Sequence, residues 1–215
     1  MRTSRGGVRE PITVGVKPVS ETKGHGSSRK PRPKRRLPKY LTPDERRALL
    51  AQPSRRYPTG VRNRALLAVM LYAGLRCTET LNLRPRDVDL GQYLITVRGG
   101  KGDKDRAVPI DPALEPYLID WRARRPSGPT FFTTLAGGRV NDGYVRRMVA
   151  RYGAKAKIRQ RVHPHMLRHT AATAWLNERG LSLREVQVLL GHSRIATTEI
   201  YLHASIPDLV RKLRA

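Results

Sequence analysis

The stretch ALLAVMLYAGL, residues 65–75, constrains this 215-residue chain more than any other segment. It is apolar on every side, so a helix built from it has no face for water. It is also far short of the roughly 20 residues needed to cross a bilayer core. The remaining solution is a helix buried inside a globular core, with the other elements packed around it.

The punctuation on either side supplies those elements. In LTPDERRALLAQ, Thr42 is placed as N-cap, Pro43 at the first helical position and Glu45 as the reciprocal partner of a capping box. The buried helix should run from about Val61 to Ala73 and stop at Gly74. CTETLNL forms a third helix, halted before Pro85. Then the period changes. QYLITVRGGKGDKDRAVPI reads as two strands, 93–98 and 105–110, around a Gly-rich turn. Asp111 and Pro112 open a helix to about Arg124, and another spans about Val140 to Ala156. HPHMLRHTAATAWLNERG is a helix stopped by Gly180. Ser182 caps the next, which ends at Gly191, and a last pair covers about 194–204 and 207–214. The class is therefore mainly α with a small antiparallel sheet (α+β).

Charge narrows the partner. The chain has 43 Lys+Arg against 17 Asp+Glu, a net charge of +26. Such an excess points to a polyanion: nucleic acid first, an anionic membrane surface second. Residues 1–36 hold 11 basic and 2 acidic residues and read as a disordered basic tail. Residues 37–215 hold 32 basic and 15 acidic residues, so the folded part is itself strongly basic. Cys77 is the single cysteine, which rules out an internal disulfide and suits a reducing compartment. No apolar h-region follows the basic N-terminus, so it is not a signal peptide.

Four short segments carry possible chemistry. His165 and Arg168 share one helix face, with Arg161, His163 and His169 nearby. A zinc site there lacks the glutamate of HExxH, and its arginine would repel a cation but attract a phosphate. Arg76 stands at a helix start, where the dipole disfavours it, so either a ligand or an ion pair with Glu79 holds it. GGKGDKDR fails as a P-loop; Lys101 at its tip is either an exposed turn lysine or a mobile proton donor. In LGHSRIATTEIYLHAS, Tyr201 stands nine positions after His192. Local sequence leaves that tyrosine as either a packing residue or a nucleophile.

Taken together, Arg76, Lys101, HMLR at 165–168, LGH at 190–192 and Tyr201 resemble, in order and spacing, the tyrosine recombinases (phage integrase family), in their Xer-type and transposon-integrase branch. GLRCTETLNL is similar to the first arginine box, GGKGDKDRAVPI to the lysine hairpin, and PHMLRHTAAT and LGHSRIATTEIYLH to the two C-terminal boxes. Each box alone is weak, but four in order are specific. The resemblance covers about Leu37 to Ser205.

The resemblance implies the catalytic fold of DNA breaking-rejoining enzymes over residues 37–215. It implies Tyr201 as nucleophile on the scissile phosphate, leaving a 3′-phosphotyrosyl bond. Arg76 and Arg168 would hold the non-bridging oxygens, and Lys101 would protonate the departing 5′-hydroxyl. His165 and His192 would contact the phosphate or handle the tyrosine proton, and Glu79 would orient the site. Neither metal nor ATP is implied as cofactor. Further DNA contacts are expected from Lys104, Arg106, Arg194 and the tail residues Arg29, Lys30, Arg32, Lys34, Arg35 and Arg36. The family's N-terminal core-binding domain is expected to be absent. The implied partner is double-stranded DNA, bound by a homo-tetramer, with a monomer as the free form. Segment 206–215 has the apolar spacing to dock on a neighbour or on its own domain. A cytoplasmic, nucleoid-associated location follows, with no membrane. The competing reading is a non-catalytic DNA-binding regulator, or remnant, that kept the fold; a type IB topoisomerase or telomere resolvase comes third.

Overall fold

A computed structural model describes residues 40–99, 105–191 and 206–214, all within the unit Leu37–Ala215. The order is α1 (Pro43–Ala51), α2 (Pro58–Tyr72), α3 (Cys77–Asn82), β1 (Val88–Asp89), β2 (Leu94–Val97), β3 (Arg106–Pro109), α4 (Glu115–Arg124), α5 (Asp142–Lys155), α6 (Pro164–Asn177), α7 (Leu183–Leu190) and α8 (Ile206–Arg214).

α2 is the axis of the fold. Every residue from Gly60 to Leu71 is buried, and the helix packs against α1, α4 and α6. It starts earlier than residue 61 because Pro58 takes a first-turn position, where its fixed φ suits the helix. It ends at Gly74, whose φ of +60° is the left-handed conformation glycine adopts freely. A Cβ at Gly74 would also meet the Trp175 ring at 2.9 Å, so close packing of α6 requires the same glycine.

Capping follows the sequence in detail. Thr42 accepts the Glu45 N–H while the Glu45 carboxylate accepts the Thr42 N–H, and Ser182 with Glu185 repeats the device on α7. Asn141 caps α5. The helix expected to open at Asp111 begins instead at Glu115. Asp111 uses its side chain on the Ala113 N–H (2.8 Å) and its carbonyl on the Leu114 N–H (2.8 Å), which builds a turn first.

The hairpin gains a third strand. Val88 and Asp89 pair antiparallel with Ile95 and Leu94, giving the order β1-β2-β3. β2 and β3 pair with Val97 opposite Arg106 and Ile95 opposite Val108. The main core unites α1–α5, the sheet and the start of α6. A second cluster joins Ala171 and Trp175 of α6 to α7 and α8. There Leu209 and Leu213 are fully buried, Lys212 pairs with Glu185 at 2.8 Å, and Arg214 pairs with Glu115 at 3.1 Å. α8 thus docks on its own domain, the cis arrangement of the two its spacing allowed. The expected helix 194–204 lies outside the described residues. Among the described residues no helix is long and apolar enough to cross a membrane.

Candidate active site

α3 follows Gly74 by three residues, so its first turn lies at the end of the buried axis. Arg76 is its N-cap residue. The Arg76 backbone N–H donates to Glu79 Oε2 at 2.8 Å, and its Nη1 donates to Oε1 at 2.6 Å. Glu79 belongs in that first turn, because a carboxylate near the N-terminus opposes the helix dipole. The ion pair foreseen from the sequence therefore exists, and it leaves the Arg76 side chain 36% exposed.

Two more guanidiniums reach the same carboxylate. Arg168 of α6 donates from Nη1 to the Gly74 carbonyl at 2.7 Å and from Nη2 to the Leu190 carbonyl, while Nη1 stands 3.5 Å from Glu79 Oε2. Arg106 of β3 grips Glu79 with a fork, Nη1 to Oε1 at 3.0 Å and Nη2 to Oε2 at 2.7 Å. Arg106 was expected among the DNA contacts; in the free protein it faces the interior. Its side chain is only 10% exposed, and its Nε donates to the Leu189 carbonyl at 2.9 Å.

The electrostatics follow from this crowding. Burial alone would raise the Glu79 pKa, but hydrogen bonds and charge from Arg106 and Arg76 win and hold it at about 2. Burial is also the main reason the Arg168 pKa falls to about 10; Arg76 and Arg106 push the same way and Glu79 opposes them. Three guanidiniums, a group that stays protonated in proteins, thus face one carboxylate. A cluster with that excess, open on the Arg76 side, is built to receive an anion.

The histidines separate by role. His163 is the N-cap of α6 and accepts the Met166 N–H through Nδ1 at 3.2 Å. Its pKa is lowered by burial first, then by His165 and Arg161, which suits a neutral acceptor. His165 is exposed at the start of α6, its ring parallel to that of His163 with centroids 6.5 Å apart. His169 packs edge-on against Tyr40. Among the described residues no three His, Cys, Asp or Glu side chains converge as metal ligands. Lys101, Lys104, His192, Arg194, Tyr201 and the tail residues from Arg29 to Arg36 lie outside the described residues. α7 ends at Gly191, with φ +63°, immediately before His192.

One feature was missed in the sequence. A cavity of about 270 Å³ beside Glu79 is lined by Asn82, Arg84, Asp87, Arg98 and Arg139. Asp87 is buried there, held by Arg98 Nε at 2.8 Å and by the Arg84 N–H at 2.9 Å. An arginine ending a strand just before a glycine turn was the available signal.

Comparison with known proteins bears on the family and the fold. The family model described as the phage integrase family matches residues 39–206. The chain is 37% identical over 202 residues to the tyrosine recombinase XerC of Yersinia pestis, covering 92% of this chain and 65% of that protein. It superposes on the crystal structure of XerA recombinase with a TM-score of 0.66 and 36% identity, covering 81% of this chain and 64% of that one. A XerH site-specific recombinase, solved bound to its difH substrate in a pre-cleavage complex, gives a TM-score of 0.61 at 30% identity over 73% of this chain and 48% of that one. The chain thus spans just under two thirds of the length of the XerC relative and the XerA structure. With its fold, its arginine boxes and the extent of these matches, the chain belongs to the phage integrase family of tyrosine recombinases.

Proposed function

We propose that this chain is the catalytic region of a site-specific DNA recombinase or integrase, which cuts and rejoins double-stranded DNA through a 3′-phosphotyrosyl intermediate. The observation that carries this reading is the three-guanidinium cluster around Glu79, with Arg76 still open to solvent; Arg76 and Arg168 come from segments that resemble the family's arginine boxes.

In the proposed step, the Tyr201 oxygen bonds to the scissile phosphorus and the bond to the 5′ oxygen breaks. The phenol has a reference pKa near ~10 and needs cationic neighbours to act at neutral pH. Arg76 and Arg168 neutralise the charge that builds on the non-bridging oxygens. Lys101 gives the leaving 5′ oxygen its proton, and His165 and His192 manage the phosphate and the phenolic proton. A 5′-hydroxyl then attacks the phosphotyrosine, and the reverse exchange reseals a strand. One phosphate ester replaces another, so the scheme calls for no nucleotide hydrolysis.

The wider organisation is part of the same reading. Residues 1–36 serve as a basic tail along the DNA and 37–215 as the catalytic domain. Four copies assemble on two duplexes, with Lys104 and Arg194 adding backbone contacts. Arg106 is taken out of that set, because its guanidinium is engaged with Glu79. The site of action is the cytoplasm, at the nucleoid.

The test is an SDS-resistant protein–DNA adduct. Nicked suicide duplexes tiled across the DNA flanking the gene are incubated with the protein and with Tyr201→Phe. The parent should form the adduct and the variant should form none while binding DNA equally well. Tight, salt-sensitive binding with no adduct from either protein would instead favour a DNA-binding regulator.

A further inference from the structure

We infer that Arg106 is a positioning residue of the active site: it locks Glu79 against Arg76 and ties that pair to the C-terminal end of α7. This rests on the recombinase reading for its consequence, but its geometry stands on its own.

Arg106 joins three elements through one side chain. Its two Nη atoms occupy both oxygens of Glu79 on α3, and its Nε holds the Leu189 carbonyl on α7. It enters from β3, the strand that leaves the lysine hairpin. The Gly191 backbone also lies against it: a Cβ added there would meet Arg106 Cδ at 3.1 Å and Nη1 at 3.2 Å. The residue before His192 is therefore fitted to this guanidinium.

The fork decides the orientation of the carboxylate. The groups facing Glu79 are Arg76 from α3, Arg106 from β3 and Arg168 from α6, with the Arg84, Asp87, Arg98 and Arg139 cavity on its open side. Arg168 stands further off, at 3.5 Å, and its guanidinium is committed to the carbonyls of Gly74 and Leu190. Without Arg106, only Arg76 holds Glu79 closely, and the carboxylate is free to turn toward Arg168 or the cavity. Arg76 would then lose its fixed bearing on the phosphate. A lysine supplies the charge but cannot span two oxygens and a carbonyl at once.

The test uses Arg106→Lys and Arg106→Gln in the full chain, on whichever nicked duplex gives the parent adduct. Thermal melts first confirm that each variant is folded. The expected result is a single-turnover adduct rate about 100-fold lower in both, with DNA affinity within about twofold of the parent. The parent rate should show no acid limb from Glu79, whose pKa is about 2. Arg106→Gln should gain one as Glu79 returns toward the ordinary carboxylate range. Arg106→Lys should recover most of the acid tolerance but not the rate. Full rate recovery by lysine would reduce Arg106 to a charge and overturn the inference, as would affinity falling in step with rate, which would make it a DNA ligand. If the parent forms no adduct on any duplex, the recombinase reading fails. A ¹³C NMR titration of the Glu79 carboxyl then decides Arg106 alone: an unmoved midpoint in Arg106→Gln would overturn the inference, and a raised one would support it.

Discussion

Arginines are gathered both in the first half of α2 and beyond its C-terminal end, and the two groups are held differently. Near the start of α2, Arg62 donates to the Thr133 carbonyl and the Tyr144 hydroxyl (both 3.1 Å) and lies over the Tyr144 ring. Arg64 donates to the Leu50 carbonyl at 3.1 Å and lies over the Tyr117 ring. These acceptors are neutral and the residues are 5% and 7% exposed. Beyond the end of α2, Arg76, Arg106 and Arg168 converge on a single carboxylate, and one of them keeps an open side. The first group is finished: its donors cross-brace α1, α2, α4 and α5. The second converges on one carboxylate and keeps an open side at Arg76, where an anion from outside can reach it.

The sharpest way to break this contrast is to remove one arginine from each group. Arg168→Ala should lower the single-turnover cleavage rate by about 10²–10³-fold. Arg62→Ala should lower stability by about 1–3 kcal/mol through its stranded acceptors, yet leave the cleavage rate per folded molecule near that of the parent. Rate measurements paired with thermal denaturation check both. A folded Arg62→Ala protein that cannot cleave would erase the distinction.

Acid titration sharpens it further. Glu79 has its pKa lowered in the folded state, from an ordinary 4.5 to about 2. Its stabilising contribution is therefore complete above pH 4.5 and is lost as pH falls from there to about 2. The size is on the order of 3 kcal/mol. Denaturant unfolding of the parent and Glu79→Gln across that window should show the parent losing stability more steeply on acidification. Parallel curves would mean that Arg106 and Arg76 do not depress this carboxylate.

The smallest expected effect lies away from both groups. Thr42→Ala removes the α1 cap and should cost about 1 kcal/mol of stability with no change in cleavage rate. A rate change there would show that the cluster is coupled to the N-terminal edge of the domain.

Most of the scaffold was legible because local rules decide it. Pro43, Thr42 and Glu45 set one helix start, Ser182 another, and Gly74, Gly180 and Gly191 all take positive φ where helices were expected to stop. β1 was not legible, since two residues carry no period and Val88–Asp89 exists only through pairing with β2. The Arg76–Glu79 ion pair was one of the two readings left open for Arg76, and it is formed. Arg106 was expected among the DNA contacts, and its inward direction was not read. The signal for that direction lay in the strand itself, because side chains two apart share a face and Val108 is buried. Register completes the argument: Arg106 stands opposite buried Val97, so it points inward. What no sequence rule supplied was the meeting of β3 with α3 and α6, which is a property of the packed domain.

The central claim is that this cluster acts on the negative charge of a DNA phosphate. Its most direct test is single-turnover cleavage by the parent and by Arg76→Ala, whose half-exposed site makes it the safer substitution for folding. Each is run on two suicide duplexes, one ordinary and one with a neutral methylphosphonate at the scissile position. On the ordinary duplex, losing Arg76 should slow cleavage by about 10²-fold or more. On the methylphosphonate, where little charge remains to be neutralised, the same loss should cost less than about tenfold. An equal penalty on both duplexes would contradict the account, because Arg76 would then matter for something other than phosphate charge.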